Sequence, residues 1–555
     1  MAYSCMRVHR LVLFFLVISC LLILRLFYLQ IIQGQQLALA SLNIRVQGLQ
    51  VDIARGEILD RNRLPLTNTA EQYSVIIFPG QIENTPSQIF RKLGTILNLT
   101  NEQNNIYHGI HDIEYPFRLA KNIDSDTARK INELEIPGVV AVAEKTRYGH
   151  GMLASHILGY INSADNKGVS GIEGMYDELL RGSQSEYVAA LVDAEQQIIP
   201  GLGYKRLKLT ASSRENYIVL TIDKKIQQKV EQIMDRTINK GAVIVMKPTT
   251  GEILAMASRP GFDPNQLSRY LEQSSAPLLN RAISAYHPGS VFKLVVAAAA
   301  LENKTVKMDD VFWDPGYIDV NNVRFQGWDY NKAPIGRLTL TEAMAHSSNP
   351  VFIEVALKLG ATKLINMAEK FGYGSKTDLG FWGESDGNLP AFDQLYPGDL
   401  ANLAIGQGFC EATPLQVAQT IATIVNDGVK VEPHIVSLVI TPDGDIVKRF
   451  QSKQGIQVIS RQTAEKLRVM MAAVTQYGTG QAAYVEVFGS AGKTGSAETG
   501  RINMTGTSIN HAWFAGFTPL NLPKYVIVVF VEEGMSGSNV AAPIFQEIAS
   551  DILKN

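Results

Sequence analysis

Tyr286-His287-Pro288-Gly289-Ser290-Val291-Phe292-Lys293 runs straight into Leu294-Val295-Val296-Ala297-Ala298-Ala299-Ala300-Leu301, and this stretch decides the fold around it. Pro288 and Gly289 make a turn, and no polar side chain follows Lys293 as far as Leu301. A helix that is apolar on every side has to be buried, so the turn opens a core helix. Ser290 and Lys293 stand at i and i+3 in its first turn. They therefore share one face, at the end where free N–H groups point outward. A serine hydroxyl becomes a nucleophile only beside a base, and a lysine is that base only when neutral. Burial, the positive end of the helix dipole and a neighbouring cation would each lower its pKa.

Taken alone, Ser290 also reads as a helix N-cap with an exposed lysine nearby. About two chance matches to Ser-x-x-Lys are expected in a chain this long, and the second here is Ser490-Ala491-Gly492-Lys493. Its glycine and the lack of a helical continuation argue against a nucleophile there. Two further motifs stand in the same half of the chain. His346-Ser347-Ser348-Asn349-Pro350 separates the helical patterns Leu338 to Ala345 and Val351 to Leu359. Ser-x-Asn recurs at Ser41 to Asn43 and Ser508 to Asn510, and a polar turn is its plain reading. Gly492-Lys493-Thr494-Gly495-Ser496-Ala497-Glu498 precedes the final strand pattern, and Lys-Thr-Gly occurs nowhere else. A hairpin edge with a solvated lysine is its plain reading. No Gly-x-Ser-x-Gly elbow, His-Glu-x-x-His pair or Walker-type phosphate loop occurs.

The order Ser-x-x-Lys, Ser-x-Asn, Lys-Thr-Gly is far more specific than any one member, and with it the chain resembles the class B penicillin-binding proteins, monofunctional peptidoglycan D,D-transpeptidases. Arg55-Gly56-Glu57-Ile58-Leu59-Asp60-Arg61-Asn62 is similar to a signature of that family's N-terminal pedestal. Gly171-Ile172-Glu173, with Tyr176 and Leu180, resembles its second pedestal box. Ile405-Gly406-Gln407-Gly408 and Thr413-Pro414-Leu415-Gln416 resemble a further catalytic-domain box. The chain departs from the pattern at Arg63, where glycine is common, and at Gly149, where proline is usual. Val291 and Ser496 stand where threonine is commoner.

Composition agrees with such a protein. The 555 residues call for at least two domains, and 46% apolar with 19% charged residues builds a real core. A net charge of −2 offers no basic field for nucleic acid. Three cysteines, Cys5, Cys20 and Cys410, make neither a disulfide framework nor a four-cysteine zinc site. No metal or cofactor is expected.

At the N-terminus, Leu11 to Ile32 is apolar and long enough to span a bilayer, with Arg25 and Tyr28 near its far end. Arg7 and Arg10 precede it, so the positive-inside rule puts residues 1–10 in the cytoplasm and the bulk outside. A cleaved signal or a lipoprotein site ending at Cys20 is the alternative, but no small-x-small site closes the span and it continues past Cys20.

The expected organisation is a tail at 1–10, an anchor at 11–32, a stalk and pedestal at 33–213 and a transpeptidase domain at 214–555. Within the pedestal, Gln33 to Gln50 reads as a helical stalk, Asn101 to Asn105 as a polar interruption and Val139 to Val142 as a strand. Met152 to Ile161 has helical spacing, and Pro200 to Ser213 reads as a turn-rich basic linker. Beyond Tyr217, a short strand leads to Asp223 as N-cap of a helix over 224–235. Strands follow at 242–246 and 253–258, then a helical middle, strands at 511–517 and 525–531, and a closing helix over 543–554. The fold class is α+β, an antiparallel sheet with a helical cluster against it, as in serine β-lactamases.

The resemblance implies a two-step acyl transfer between peptidoglycan stem peptides. Ser290 would attack the carbonyl between two D-alanines while Lys293 takes its proton. Ser347 would relay a proton to the departing D-alanine. Lys493 would tune the field and keep Lys293 neutral. Asn349 would hold the substrate amide, and Thr494, Gly495 and Ser496 would bind the terminal carboxylate. The backbone N–H groups of Ser290 and Ser496 would form the oxyanion hole. β-Lactams would acylate Ser290, and hydrolysis of the acyl-enzyme would give carboxypeptidase side activity. Implied partners are the cytoplasmic membrane, a polytopic membrane glycosyltransferase and other cell-wall assembly proteins. Ser-Ser-Asn inclines the reading toward a division or sporulation role. A β-lactamase or a membrane-anchored β-lactam sensor would share the three motifs. The pedestal argues against the first and the short cytoplasmic tail against the second.

Overall fold

The computed structural model describes residues 2–33, 46–82, 87–98, 113, 115–149, 153–162, 166–191, 204–209, 215–328, 334–450, 454–503 and 506–554. Helix α1 (Ala2–Phe27) runs on into a wider π-helical turn over Tyr28–Ile32. Within this run, His9–Ile32 has a mean hydropathy of 2.7 and is long and apolar enough to cross a bilayer.

The chain divides into two compact units that interleave along the sequence. One comprises 1–54, 71–146 and 183–214, and the other 55–70, 147–182 and 215–555. The expected pedestal at 33–213 is thus not one continuous piece, because 55–70 and 147–182 group with 215–555. In the first unit, Ala70–Ile77 is flanked by Phe117–Ile123 and Val139–Thr146. Val75, Ile77, Leu93, Ala128 and Ile131 close its core.

Several local expectations change here. The linker expected at 200–213 contains a strand, Tyr204–Leu209, paired antiparallel with 185–190. Tyr204 anchors it by packing on Phe78 at 4.9 Å and accepting a hydrogen bond from Gly138 N. The stalk expected over 33–50 is strand from Val46 onward, and 34–45 lies outside the described residues, as does Asn101 to Asn105. Of the helical spacing at 152–161, only Ser155–Leu158 forms a helix. It stops at Gly159, where a Cβ would lie 1.9 Å from Ser170 O.

In the second unit, the two boxes of the pedestal signature meet. Arg55 Nε reaches Glu173 Oε2 at 2.5 Å, and Arg147 Nε reaches Glu173 Oε1 at 2.7 Å. Glu173 is fully buried, so it depends on both cations. The departure at Arg63 falls at φ 62, a left-handed position that explains the common glycine. At Gly149, a Cβ would approach Thr69 Oγ1 to 2.4 Å.

Strand β1 (Ile58–Leu59) pairs in parallel with β2 (Tyr217–Leu220). Asp223 then caps α2 (Lys224–Thr237), accepting from the N–H groups of Lys225 and Ile226. The hairpin β3 (Gly241–Met246) and β4 (Ile253–Arg259) follows as expected. The buried helices α3 (Lys293–Glu302), α4 (Asn349–Leu359) and α5 (Pro414–Val425) form the middle. β5 (Val436–Ile440) and β6 (Ile446–Arg449) extend the small sheet in the order β6-β5-β2-β1. After α6 (Arg461–Gln476) come β7 (Ala491–Ile502), β8 (Ser508–Thr518), β9 (Tyr525–Val531) and α7 (Ala542–Leu553).

The main sheet has the order β4-β3-β9-β8-β7, antiparallel throughout. Side-chain alternation splits its strands between two cores. Val526, Val528 and Phe530 face the cluster of α3, α5 and α6, whereas Ile527, Val529 and Val531 face α2 and α7. β7 is an edge strand, and it carries Lys493-Thr494-Gly495 within it, where the pattern had placed that motif before the final strands.

Candidate active site

The cavity at the β7 edge has a volume of about 1020 Å³. Ser290, Ser347, Asn349, Thr494 and Ser496 all line it, so three motifs spread over some 200 residues converge on one wall system. Ser290 sits in a tight 3₁₀ turn, Gly289–Phe292, that leads into α3. Gly289 holds φ 56 and donates its N–H to Gly406 O at 3.0 Å. A Cβ on Gly406 would lie 2.1 Å from Gly289 O, which gives the Ile405-Gly406-Gln407-Gly408 box a structural task.

Lys293 is fully buried. Its Nζ donates to Ser347 O at 2.7 Å, Ser347 Oγ at 3.3 Å and Asn349 Oδ1 at 2.7 Å. Ser347 adopts φ 58, a conformation costly for a non-glycine residue. Ser348 caps α4 and also donates to Asp314, while Asn349 Nδ2 donates to Gln326 O at 2.9 Å. The Ser-x-Asn turn is therefore fixed from both sides.

Lys493 enters from the sheet. Also fully buried, its Nζ donates to Ser347 Oγ at 2.8 Å and to Thr494 O at 3.0 Å. Burial lowers its pKa from 10.5 to about 7. The two lysines thus share one hydroxyl, Ser347 Oγ, as acceptor. Burial therefore opposes the charge on which the expected role of Lys493 relies.

Gly495 does not line the cavity. It lets β7 close on the Ser290 turn, since a Cβ there would lie 3.0 Å from both Pro288 O and Val291 Cγ2. Ser496 Oγ accepts from Gly537 N at 3.2 Å. Ser490 is buried with its Oγ donating to Ala483 O at 2.7 Å, a purely structural bond that removes it as a rival nucleophile.

Sequence reasoning missed several lining residues. Thr479 places its Oγ1 2.7 Å from Thr494 Oγ1, and the Gly478-Thr479-Gly480 turn after α6 could have marked it. Trp328, Asn402 and Asn539 also line the cavity without a short-range signal, and so do Gln407, from the Ile405-Gly406-Gln407-Gly408 box, and Asn510, from a Ser-x-Asn match read as a polar turn. Among the described residues, no group of His, Cys, Asp and Glu could hold a metal ion.

A two-lysine serine pocket at the edge of a helix-flanked antiparallel sheet defines a serine acyl-transfer protein. Comparison with known proteins carries this further. Residues 241–550 match the penicillin-binding protein transpeptidase domain, and residues 51–202 match the penicillin-binding protein dimerisation domain. Stage V sporulation protein D of Bacillus subtilis is 32% identical, over 98% of this chain and 84% of its own length. Penicillin-binding protein PbpB of Mycolicibacterium smegmatis is 32% identical over 96% of this chain and 87% of its own. Peptidoglycan D,D-transpeptidase MrdA of Escherichia coli is 27% identical over 97% and 92%. The crystal structure of penicillin-binding protein 3 from Mycobacterium tuberculosis with aztreonam superposes with a TM-score of 0.65. It has 28% identity and covers 92% of this chain and 96% of that one. The chain belongs to the class B penicillin-binding proteins, with a pedestal-type dimerisation domain and a transpeptidase domain. It is a membrane-anchored member of that family.

Proposed function

We propose that this protein is a peptidoglycan D,D-transpeptidase that cross-links stem peptides through an acyl-enzyme on Ser290 and that β-lactams block by acylating the same oxygen. The observation that carries the reading is that Ser290 and Ser347 line one cavity while the buried Lys293 and Lys493 both donate to Ser347 Oγ.

Ser290 stands at the start of α3, where unpaired backbone N–H groups stabilise a developing oxyanion. Its own N–H and that of Ser496 are the donors. Lys293, one helical turn away in a fully buried setting, takes the hydroxyl proton as the carbonyl between two D-alanines is attacked. Ser347 then passes a proton to the leaving D-alanine. Its Oγ accepts from Lys493, so a proton lost at this oxygen is replaced from a lysine with a pKa about 7. Asn349 orients the substrate amide, and the hydroxyls of Thr494 and Ser496 hold the terminal carboxylate. The amine of a neighbouring stem peptide takes the acyl group and frees Ser290.

Arg7 and Arg10 before the span set residues 1–10 in the cytoplasm and the catalytic unit outside the bacterial cytoplasmic membrane. Glycan polymerisation comes from a separate polytopic membrane glycosyltransferase that works with this enzyme among other cell-wall assembly proteins. The role in division or sporulation is supported by Ser347-Ser348-Asn349.

The test is a labelled penicillin followed by peptide mapping of the adduct, with D-alanine release measured on a peptide ending in D-alanyl-D-alanine. Label on Ser290 and release of D-alanine are expected. Label on any other residue, or none, refutes the assignment.

A further inference from the structure

β7 continues to line the cavity beyond Ser496. Thr494, Ser496 and Glu498 occupy alternate positions on one face of the strand, and all three line the cavity. Glu498 stands opposite Asn510 of β8 in register. Asn510 lines the same cavity, and its Oδ1 is buried with no hydrogen-bond partner. Arg324 and Glu498 are the charged residues among the described lining. Asp319 holds Arg324 through contacts of 2.8 and 2.9 Å, and its guanidinium stacks on Tyr317 at 4.0 Å. No described residue forms an ion pair with Glu498.

A carboxylate and an orphaned amide oxygen are both acceptors, so together they suit a group that is positive and rich in N–H donors. Along the strand, Glu498 lies about 7 Å beyond Ser496, which separates it from the carboxylate-binding hydroxyls by one side-chain pair. We infer that Glu498 and Asn510 form a subsite for a primary ammonium, and that its occupant is the amine-bearing peptide that takes the acyl group. This rests on the acyl-transfer reading above. Glu498 is a positioning residue, concentrating the amine beside the acyl-enzyme. The held ammonium loses one proton to solvent. The free amine then forms the C–N bond, the ester C–O bond to Ser290 breaks, and a further amine proton ends on the serine oxygen.

The experiment uses the purified full chain and a thioester peptide as acyl donor, with hydrolysis and aminolysis products counted together. D-Alaninamide serves as a cationic acceptor and hydroxylamine as a neutral one. Glu498→Gln is expected to lower the aminolysis-to-hydrolysis ratio for D-alaninamide about fivefold below saturation, and to change it for hydroxylamine by less than about twofold. Added salt should erode the D-alaninamide ratio in the wild type and not in Glu498→Gln. Acylation by an anionic penicillin should become faster in the variant, because a like charge is removed. Equal D-alaninamide ratios in the two proteins, or an equal loss with both acceptors, overturn the subsite. A wild type that penicillin fails to acylate removes the Ser290 reading itself, and the subsite falls with it.

Discussion

The two walls of the cavity each deliver a buried lysine to the same hydroxyl, yet they do so by different physics. On the helical wall, Lys293 is carried by a turn into an apolar helix, and three oxygens of the Ser-x-Asn turn accept from its Nζ. On the strand wall, Lys493 sits in an edge strand where alternation turns it inward, beside Thr494 and Ser496 on the exposed face. Its contacts are also three, a serine hydroxyl and the carbonyl and hydroxyl oxygens of its own neighbour. Burial is what drives its pKa down to about 7. The lesson is that two unlike frameworks, an apolar helix on one wall and an edge strand on the other, can bring two buried lysines to a single hydroxyl.

The sharpest way to break this comparison is at the helical wall. Ser290→Ala is expected to abolish covalent penicillin labelling while shifting the thermal midpoint little, because Ser290 is half-buried at a turn. Labelling that survives would dismiss the helical wall as the nucleophile's site. Next in size, Lys293→Ala should slow acylation by about 10²–10⁴-fold at every pH, since no other described base lies one turn from Ser290. Recovery of that rate at high pH would hand the base's role to the strand wall.

Gly495→Ala probes where the walls touch. Its new Cβ would press on Pro288 O and Val291, shifting the nucleophile turn by a fraction of an ångström. A loss of acylation rate on the order of 10-fold is expected, measured by stopped-flow labelling. A normal rate would mean that the turn is placed by Gly406 alone.

The remaining effect concerns Lys493 and is read in stability. Its pKa is lowered from 10.5 to about 7, so between these values the unfolded chain binds a proton that the folded site lacks. Stability therefore rises with pH across that window and the gain is lost as pH falls toward 7. Lys493→Met should remove a contribution to the slope of about 1.4 kcal/mol per pH unit, seen in urea midpoints from pH 7 to 10. In the wild type, the acylation rate should also show an inflection near pH 7 that Lys493→Met lacks. An unaltered stability slope would mean that Lys493 stays charged in the fold.

Much of the catalytic unit is legible locally. Asp223 announces its helix by its cap, the Val526 to Val531 run shows a strand buried on both sides, and Gly289-Ser290 opens a helix that can only be core. The convergence of the motifs is legible only as an order of short patterns. What local reading misses is set by distant partners. Tyr204–Leu209 is a strand because 185–190 pairs with it, although the surrounding 200–213 is basic and turn-rich. Thr479 and Asn510 reach the cavity through the ends of α6 and β8, and it is the packing of those elements, not the local Gly-Thr-Gly or Ser-x-Asn pattern, that brings them there.

The burial of Glu173 between Arg55 and Arg147, and the pairing of β1 with β2, bear on how such a protein can be rearranged by evolution. Two stretches that lie far upstream are structural parts of the catalytic unit. A gene fusion that joined residue 215 onward to a foreign anchor would carry a unit missing a strand and its central carboxylate. Recombination at a boundary near residue 215 therefore breaks the unit, and 55–182 and the residues from 215 onward are constrained to be inherited together.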